Sequence, residues 1–219
     1  MSTSFNSSIK KARYMIGSLG GYSLIQLALD RLFSINHYYV MKVNLKRLSD
    51  YPLKRNPSGE LSLLTVDDLT KIKQHVRKYK SNIRREILAR IQFYERGFHN
   101  CYVMKIDNKI AYFQWLIYPN ENENIRKYFK RTFYSLQDQQ VMIENAFTFP
   151  EFRGRGYLPY VSRLLLNKAK NDGYKSAIGY IKNDKITSLN EFFKMDFKVI
   201  QYLREVKLAG RVFRNLKIK

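Results

Sequence analysis

Four consecutive residues, Arg153-Gly154-Arg155-Gly156, are the part of this sequence best suited to holding a charged ligand. The arginines supply positive charge, and the glycines remove the Cβ atoms that would keep a phosphate away from the backbone amides. Ahead of the turn, Val141 to Phe149 is rich in β-branched and aromatic residues and reads as a strand. Behind it, Leu158, Val161, Leu164, Leu165 and Ala169 recur at helical spacing, and Gly173 stands where such a helix would close. Strand, Gly/Arg turn and helix in that order bring unpaired N–H groups and the positive end of a helix dipole together, which makes an anion site. The glycines are too few for a Walker loop or a dinucleotide fingerprint. Basic Gly/Arg turns also decorate ordinary surfaces, so the reading depends on the flanking elements.

Other chemistry is poorly provided for. His37, His75 and His99 are scattered, with no second ligand at i+3 or i+4, so no metal site is expected. Cys101 is the single cysteine, which rules out an intrachain disulfide or a thiolate cluster and fits a reducing cytoplasm. A formal charge of +22, from 40 Lys+Arg against 18 Asp+Glu, favours acidic partners: nucleic acid, anionic lipid, a phosphate-bearing cofactor or an acidic protein. Part of that charge follows a general bias toward Lys, Asn, Ile and Tyr. At 219 residues, with 45% hydrophobic and 15% aromatic content, the chain has enough apolar material for one well-packed domain and is not a disordered polymer.

The elements that must position the turn can be read in order. Residues 1–37 form a basic and apolar extension. Lys10, Lys11 and Arg13 precede an apolar stretch that Gly17, Gly20, Gly21 and Gln26 break up, which argues against a signal peptide or a membrane span. Apolar residues at 24, 25, 28, 29, 32 and 33 give a helical stripe, expected either to dock on the domain or to lie on an anionic membrane through residues 10–33. Tyr38 to Leu45 is a first strand, and Asp50 to Ser62, with two prolines and a glycine, a loop. Thr65-Val66-Asp67-Asp68 has the form of a capping box and opens a helix to about Tyr79; a second helix runs from about Asn82 to Arg96. Between Leu69 and Arg90, Lys71, Lys73, Arg77, Lys78, Lys80, Arg84, Arg85 and Arg90 stand against a single acid, Glu86, which suits either solubility or an acidic partner. Cys101 to Ile106 and Ile110 to Tyr118 form a hairpin across Asp107-Asn108-Lys109, and Ile125 to Tyr134 a short basic helix or turn. Ser176 to Ile181 is a further strand, and Val199 to Leu208 and Val212 to Ile218 close the chain as an antiparallel pair. The expected fold class is α/β: a single domain over 38–219 with a mixed, mostly antiparallel sheet flanked by helices, preceded by the helical extension.

Pro150-Glu151-Phe152-Arg153-Gly154-Arg155-Gly156 resembles the acyl-CoA pyrophosphate loop of the GNAT superfamily of N-acyltransferases, where an Arg/Gln-x-x-Gly-x-Gly/Ala turn joins the fourth strand to the third helix. Asp184-Lys185-Ile186-Thr187-Ser188, followed by Phe192-Phe193-Lys194-Met195-Asp196-Phe197, is similar to that family's Asn-x-x-Ser … Tyr … Gly-Phe segment. Leu158 stands where a last Gly/Ala is expected, Lys185 for the Asn, Phe192 for the Tyr that serves many members as general acid, and Asp196 for the Gly.

The resemblance implies an N-acyltransferase that passes acetyl from acetyl-CoA to a primary amine, on a small molecule or a peptide, by direct attack in a ternary complex without a metal. It assigns Arg153, Gly154, Arg155, Gly156, Tyr157, Leu158 and Lys185 to the cofactor. The backbone of Phe147, Thr148 and Phe149 would hold the pantetheine and the thioester carbonyl. An attacking amine must shed a proton and a leaving thiolate needs a donor. Glu144, on the strand that feeds the loop, is the candidate base; Tyr180 is a candidate donor, as are Tyr157 and Tyr160, while Asp138 and Glu151 are further acids within conceivable reach of the cleft. Related proteins border the acceptor site with their first two helices. Two rivals remain: a long-chain acyltransferase served by an acidic acyl carrier protein, and a nucleic-acid-binding protein favoured by charge alone, with no recognisable motif behind it.

Overall fold

In the computed structural model, residues 33–48, 57–129, 135–209 and 211–218 are described. Eight strands form one sheet: β1 (Phe33–Asn44), β2 (Glu60–Leu63), β3 (Cys101–Ile106), β4 (Lys109–Ile117), β5 (Gln140–Thr148), β6 (Ser176–Lys182), β7 (Lys198–Leu208) and β8 (Arg211–Ile218). Five helices flank it: α1 (Val66–His75), α2 (Ser81–Glu95), α3 (Asn122–Phe129), α4 (Tyr157–Asn171) and α5 (Ile186–Lys194). The strand order is β2-β3-β4-β5-β6-β1-β7-β8. Every neighbouring pair is antiparallel except β5 and β6. The expected mixed, mostly antiparallel α/β sheet is therefore what forms. Among the described residues, no helix is long and apolar enough to cross a membrane.

Local chemistry accounts for most element ends. Asp107 and Asn108 both adopt positive φ, 47° and 58°, the conformation of a tight hairpin turn that short Asx side chains tolerate. At α1, Thr65 Oγ1 accepts from the Asp68 N–H at 3.1 Å while Asp68 Oδ2 accepts from the Thr65 N–H at 3.0 Å, closing the capping box. Asp68 also meets Lys105 of β3 at 2.8 Å, which ties this helix start to the sheet.

Two expectations change. The stretch taken as loop to Ser62 ends in a strand, because Glu60 to Leu63 finds a partner in Tyr102 to Lys105. Four residues carry little periodicity, so only the pairing defines this strand. The first strand begins at Phe33, before the anticipated start at Tyr38. It lies inside the sheet between β6 and β7, with Tyr38 opposite Lys182 on one side and Leu203 on the other. Its first residues alternate between exposed and half-buried, with the apolar Phe33 and Ile35 on the exposed side, so hydrophobicity alone does not mark them as strand. Of the expected helical extension over 1–37, residues 1–32 lie outside the described residues, and with them all of the proposed membrane contact through residues 10–33 except Phe33. Phe33 to His37 are strand, not helix, because they pair with β7.

Val40, Met41 and Val43 of β1, Tyr112 to Ile117 of β4, and Val141 to Ile143 of β5 make the centre of the core. On the face toward α2, Phe93 stacks on Phe98 at 4.0 Å and meets the edge of Trp115 at 5.4 Å. Val161, Leu165, Leu166 and Ala169 bury the inner stripe of α4 against the sheet.

Candidate functional site

The parallel pair β5/β6 holds register only from Gln140↔Ser176 to Met142↔Ile178. Beyond that point β5 runs on to Thr148 and β6 to Lys182 without pairing. The gap between them opens a cleft of about 700 Å³ lined by both strands, the Gly/Arg loop and the first turns of α4 and α5. That volume falls in the range of small-molecule sites. At one end, Pro150–Phe152 makes a single 3-10 turn and leads into the loop. Gly156 is the N-cap of α4 in the left-handed region (φ 82°), and no side chain caps the helix. Pro159 removes one N–H from the first turn and leaves the others to a ligand. A Cβ on Gly154 (φ 76°) would meet nothing within 4 Å, so the loop surface is open. Arg153 and Arg155 are both exposed; they donate to the carbonyls of Thr148 and Glu151, each at 3.3 Å, and so steady the loop from its N-terminal side.

At the other end sits Glu144. Phe113 pairs with Phe147 and Trp115 with Glu144, so Asn145 and Ala146 together oppose the single residue Gln114. This is a β-bulge, and Asn145 absorbs it at φ 57°. Arg90 of α2 fastens the bulge. Its Nε donates to the Asn145 carbonyl at 3.1 Å, its Nη2 to the Ala146 carbonyl at 3.2 Å, and its guanidinium lies 4.9 Å from the centre of the Phe147 ring. Bent in this way, β5 leaves Oε2 of Glu144 buried without a hydrogen-bond partner. Burial pushes the carboxyl up to about 7, against the downward pull of the Asn145 backbone N–H, Arg90, the Tyr180 backbone N–H and Arg214. A carboxyl poised near neutrality beside a cleft is suited to accept a proton.

No family profile matches the sequence, and no curated protein does. Solved structures match in shape. The GCN5-related glucosamine N-acetyltransferase region of a fungal multi-domain β-N-acetylglucosaminidase superposes with a TM-score of 0.59 at 11% identity, over 89% of this chain and 23% of that one. A GCN5-related N-acetyltransferase from Sphaerobacter thermophilus gives 0.50 at 11% identity, over 91% of this chain and 57% of its own. A conserved protein of unknown function from Staphylococcus epidermidis gives 0.53 at 10% identity, over 85% and 66%. The chain has the GNAT fold. Identities this low speak for the fold alone, and the chain spans no more than about two thirds of these proteins.

Within the GNAT fold, most of the expected residues gather on the cleft. Glu144, Phe147, Thr148, Arg153, Gly154, Arg155, Gly156, Tyr157, Leu158, Tyr180 and Lys185 all line it. Phe149 does not: its ring is buried in the core and its N–H is spent on the Ala111 carbonyl at 3.0 Å. Tyr157 is only 2% exposed, its ring 6.4 Å from that of Tyr112, which suits packing better than proton donation. Asp138 and Tyr160 lie off the cleft. Glu151 is turned away to Tyr79 at 2.8 Å and Lys78 at 3.3 Å. Phe192 forms a wall: it packs beside Phe197 and closes on Gly179, where an added Cβ would stand 2.9 Å from the ring. Asp196 holds φ 63°, the left-handed conformation that a glycine would supply. Among the described residues no three His, Cys, Asp or Glu side chains come together as a metal site would require.

Among the lining groups that sequence reasoning does not place at the cleft are Arg90, Tyr38 and the Tyr112–Gln114 pair. In the sequence Arg90 belongs to a basic surface, and only its spacing from Ile87 and Ile91 hints that it lies near the buried stripe. Lys71, Lys73 and Lys78 of the same cluster are engaged by Asp67, Glu95 and Glu151. Replacing Arg90 by Met should strip both bulge carbonyls of charged donors and lower stability by about 3 kcal/mol, roughly 10 °C in melting temperature. Arg90→Lys should not restore it, because one ammonium lacks the planar fork that reaches two carbonyls. A melting temperature within about 2 °C of wild type in either variant would show that water replaces the guanidinium.

Proposed function

We propose that this protein transfers an acyl group, acetyl in the simplest case, from acyl-CoA to a primary amine by direct attack. One observation carries the reading. A single cleft has a carboxyl with one buried, unpartnered oxygen at one end and a helix N-terminus without a side-chain cap at the other. The second feature fits the pyrophosphate of CoA, since an anion there would meet first-turn N–H groups, two arginines and a glycine surface with no Cβ in the way.

Acetyl-CoA would supply an acyl group already activated as a thioester. The residues around it have separate tasks. Gly154, Gly156 and the start of α4 would hold the phosphates, with Arg153 and Arg155 adding charge. The edge of β5 beyond Met142, which β6 leaves unpaired, would take the amides of the pantetheine arm as an added strand would be taken. Glu144 would accept a proton from the amine, and its position near neutrality lets it do so at physiological pH. The aromatic walls formed by Phe147, Tyr157 and Phe192 would keep water from competing.

The first test is binding. CoA and acetyl-CoA, each well above its dissociation constant, should raise the melting temperature by mass action, whereas RNA should not. The second is thiol release from acetyl-CoA with a panel of primary amines. Glucosamine comes first, because the fungal neighbour is a glucosamine N-acetyltransferase region. A shift with RNA and none with CoA would sink the proposal and leave the +22 charge to explain the protein.

A further inference from the structure

A neutral primary amine approaching an acyl carbon points its lone pair forward and carries two N–H donors. In a cleft shielded from water, each needs an acceptor. Oε2 of Glu144 provides one. Most other acceptors around the cleft are already committed. Arg90 takes the carbonyls of Asn145 and Ala146, and Arg153 takes that of Thr148. Gln114 Oε1 accepts from the Tyr112 hydroxyl at 2.8 Å and from the Ser162 hydroxyl at 3.0 Å. Glu86 is shared between Lys185 and Arg90, both at 3.7 Å, and Glu191 is held by Lys194 at 2.7 Å.

Tyr38 is differently placed. The insertion of β1 between β6 and β7 carries it into the cleft wall, half-buried, with Lys182 across from it on β6. Lys182 itself turns to Asp184 at 3.0 Å. Two residues along β1, the Asn36 side chain donates to Glu205 at 3.2 Å, and Glu205 also binds Arg214. Glu205 is thus engaged by Asn36, Arg214 and Lys207, and the Tyr38 hydroxyl makes no hydrogen bond among the described residues. Tyr38 is also electrostatically coupled to Glu144. Burial, then Glu205, then Glu144 and Asp184, push its phenol up to about 12 against the opposing pull of Arg214, so it stays a neutral hydroxyl at any working pH. Tyr128 feels Glu144 as well, but it packs edge-to-face against Phe93 and Phe98 and does not line the cleft.

We propose that the Tyr38 oxygen is the second acceptor for the attacking amine, paired with Glu144, and that this pairing selects primary over secondary amines. The inference rests on the acyl-transfer reading above. In the step it serves, the nitrogen lone pair forms the N–C bond, the C–S bond breaks, and its electron pair leaves on sulfur, which takes a proton from water. Glu144 removes one N–H proton. The other N–H remains in the product amide, and that is the one Tyr38 holds. A secondary amine has no such hydrogen left, so for it the Tyr38 contact does not exist.

The experiment compares propylamine with N-methylpropylamine as acceptors, measured by thiol release from acetyl-CoA and corrected for their uncatalysed rates. Wild-type protein should prefer the primary amine by about tenfold, the worth of one hydrogen bond. Tyr38→Phe, which keeps the ring, should reduce that preference to near one by slowing the primary amine alone, with KM for acetyl-CoA unchanged. Equal slowing of both amines would overturn the proposal in favour of a role at the sulfur. A preference that persists in Tyr38→Phe would overturn it in favour of steric exclusion, and its loss in Tyr180→Phe instead would move the contact to that tyrosine. Acetyl-CoA binding by wild-type protein, read from its melting temperature, tests the parent reading separately. If CoA binds but neither amine reacts, the acceptor role of Tyr38 is wrong.

Discussion

Glu144→Gln should lower kcat by about 10²–10³-fold with an alkylamine acceptor while leaving KM for acetyl-CoA close to wild type, since a base acts in the transition state. The pH profile gives the sharper signature. The carboxyl works when ionised, so wild-type kcat/KM should rise with pH through about 7 and then level off. The Gln variant should lose that limb. Hydroxylamine, which is already neutral at pH 7, should also lose rate in the Gln variant, because Glu144 takes a proton from the attacking nitrogen as the N–C bond forms. A drop of less than threefold with the alkylamine would assign deprotonation to solvent.

Stability should move the other way. Folding raises this carboxyl from 4.5 to about 7, so the native state holds its proton more tightly than the unfolded chain. Native stability therefore falls as pH rises from about 4.5 to about 7, where only the unfolded chain has released that proton. Glutamine is neutral throughout and escapes the loss. Relative to wild type, the variant should melt higher at pH 8 than at pH 5, and the gap should narrow as the pH is lowered. A residue that gains stability when disabled is one held in place for function.

The parts of this fold legible in the sequence are those set by local chemistry. The capping box at Thr65, the Asp107-Asn108 turn and the strand–loop–helix around Gly154 and Gly156 all formed as their residues dictate. What escaped was set by tertiary pairing. Nothing in Phe33 to His37 announces a strand inserted between β6 and β7, because the partners that stabilise it lie more than a hundred residues away in the chain. Tyr38 was overlooked as a cleft residue for that reason. Arg90 was overlooked because a sequence shows charge but not direction, and only the bulge at Asn145 explains why a guanidinium points inward. Asp196 shows the reverse case. It departs from the family pattern in identity yet keeps the backbone conformation that the pattern exists to supply.

The loop offers the other large effect. Gly156 has φ 82° as the N-cap of α4, a conformation that a β-branched residue adopts only under strain. Gly156→Val should force the helix start to rearrange and misalign the first-turn N–H groups, weakening CoA binding by at least about 100-fold, or 2.7 kcal/mol. Gly154→Ala should do less. It also has positive φ, 76°, but a single Cβ there would meet no protein atom within 4 Å, so the cost is backbone strain and the crowding of the phosphate by one methyl group. Arg155→Ala should cost least, because an exposed side-chain contact to phosphate is screened by water and salt. Misfolding is separated from lost phosphate contacts by the donor. Acetyl-pantetheine has the same thioester and amide arm as acetyl-CoA but no pyrophosphate. A folded Gly156→Val protein should turn it over at the wild-type rate while losing the advantage that wild type gains from the nucleotide. If the variant instead binds CoA normally, the phosphates are not held at α4. If it loses both donors equally, the loop acts by shaping the whole cleft and the anion site lies elsewhere.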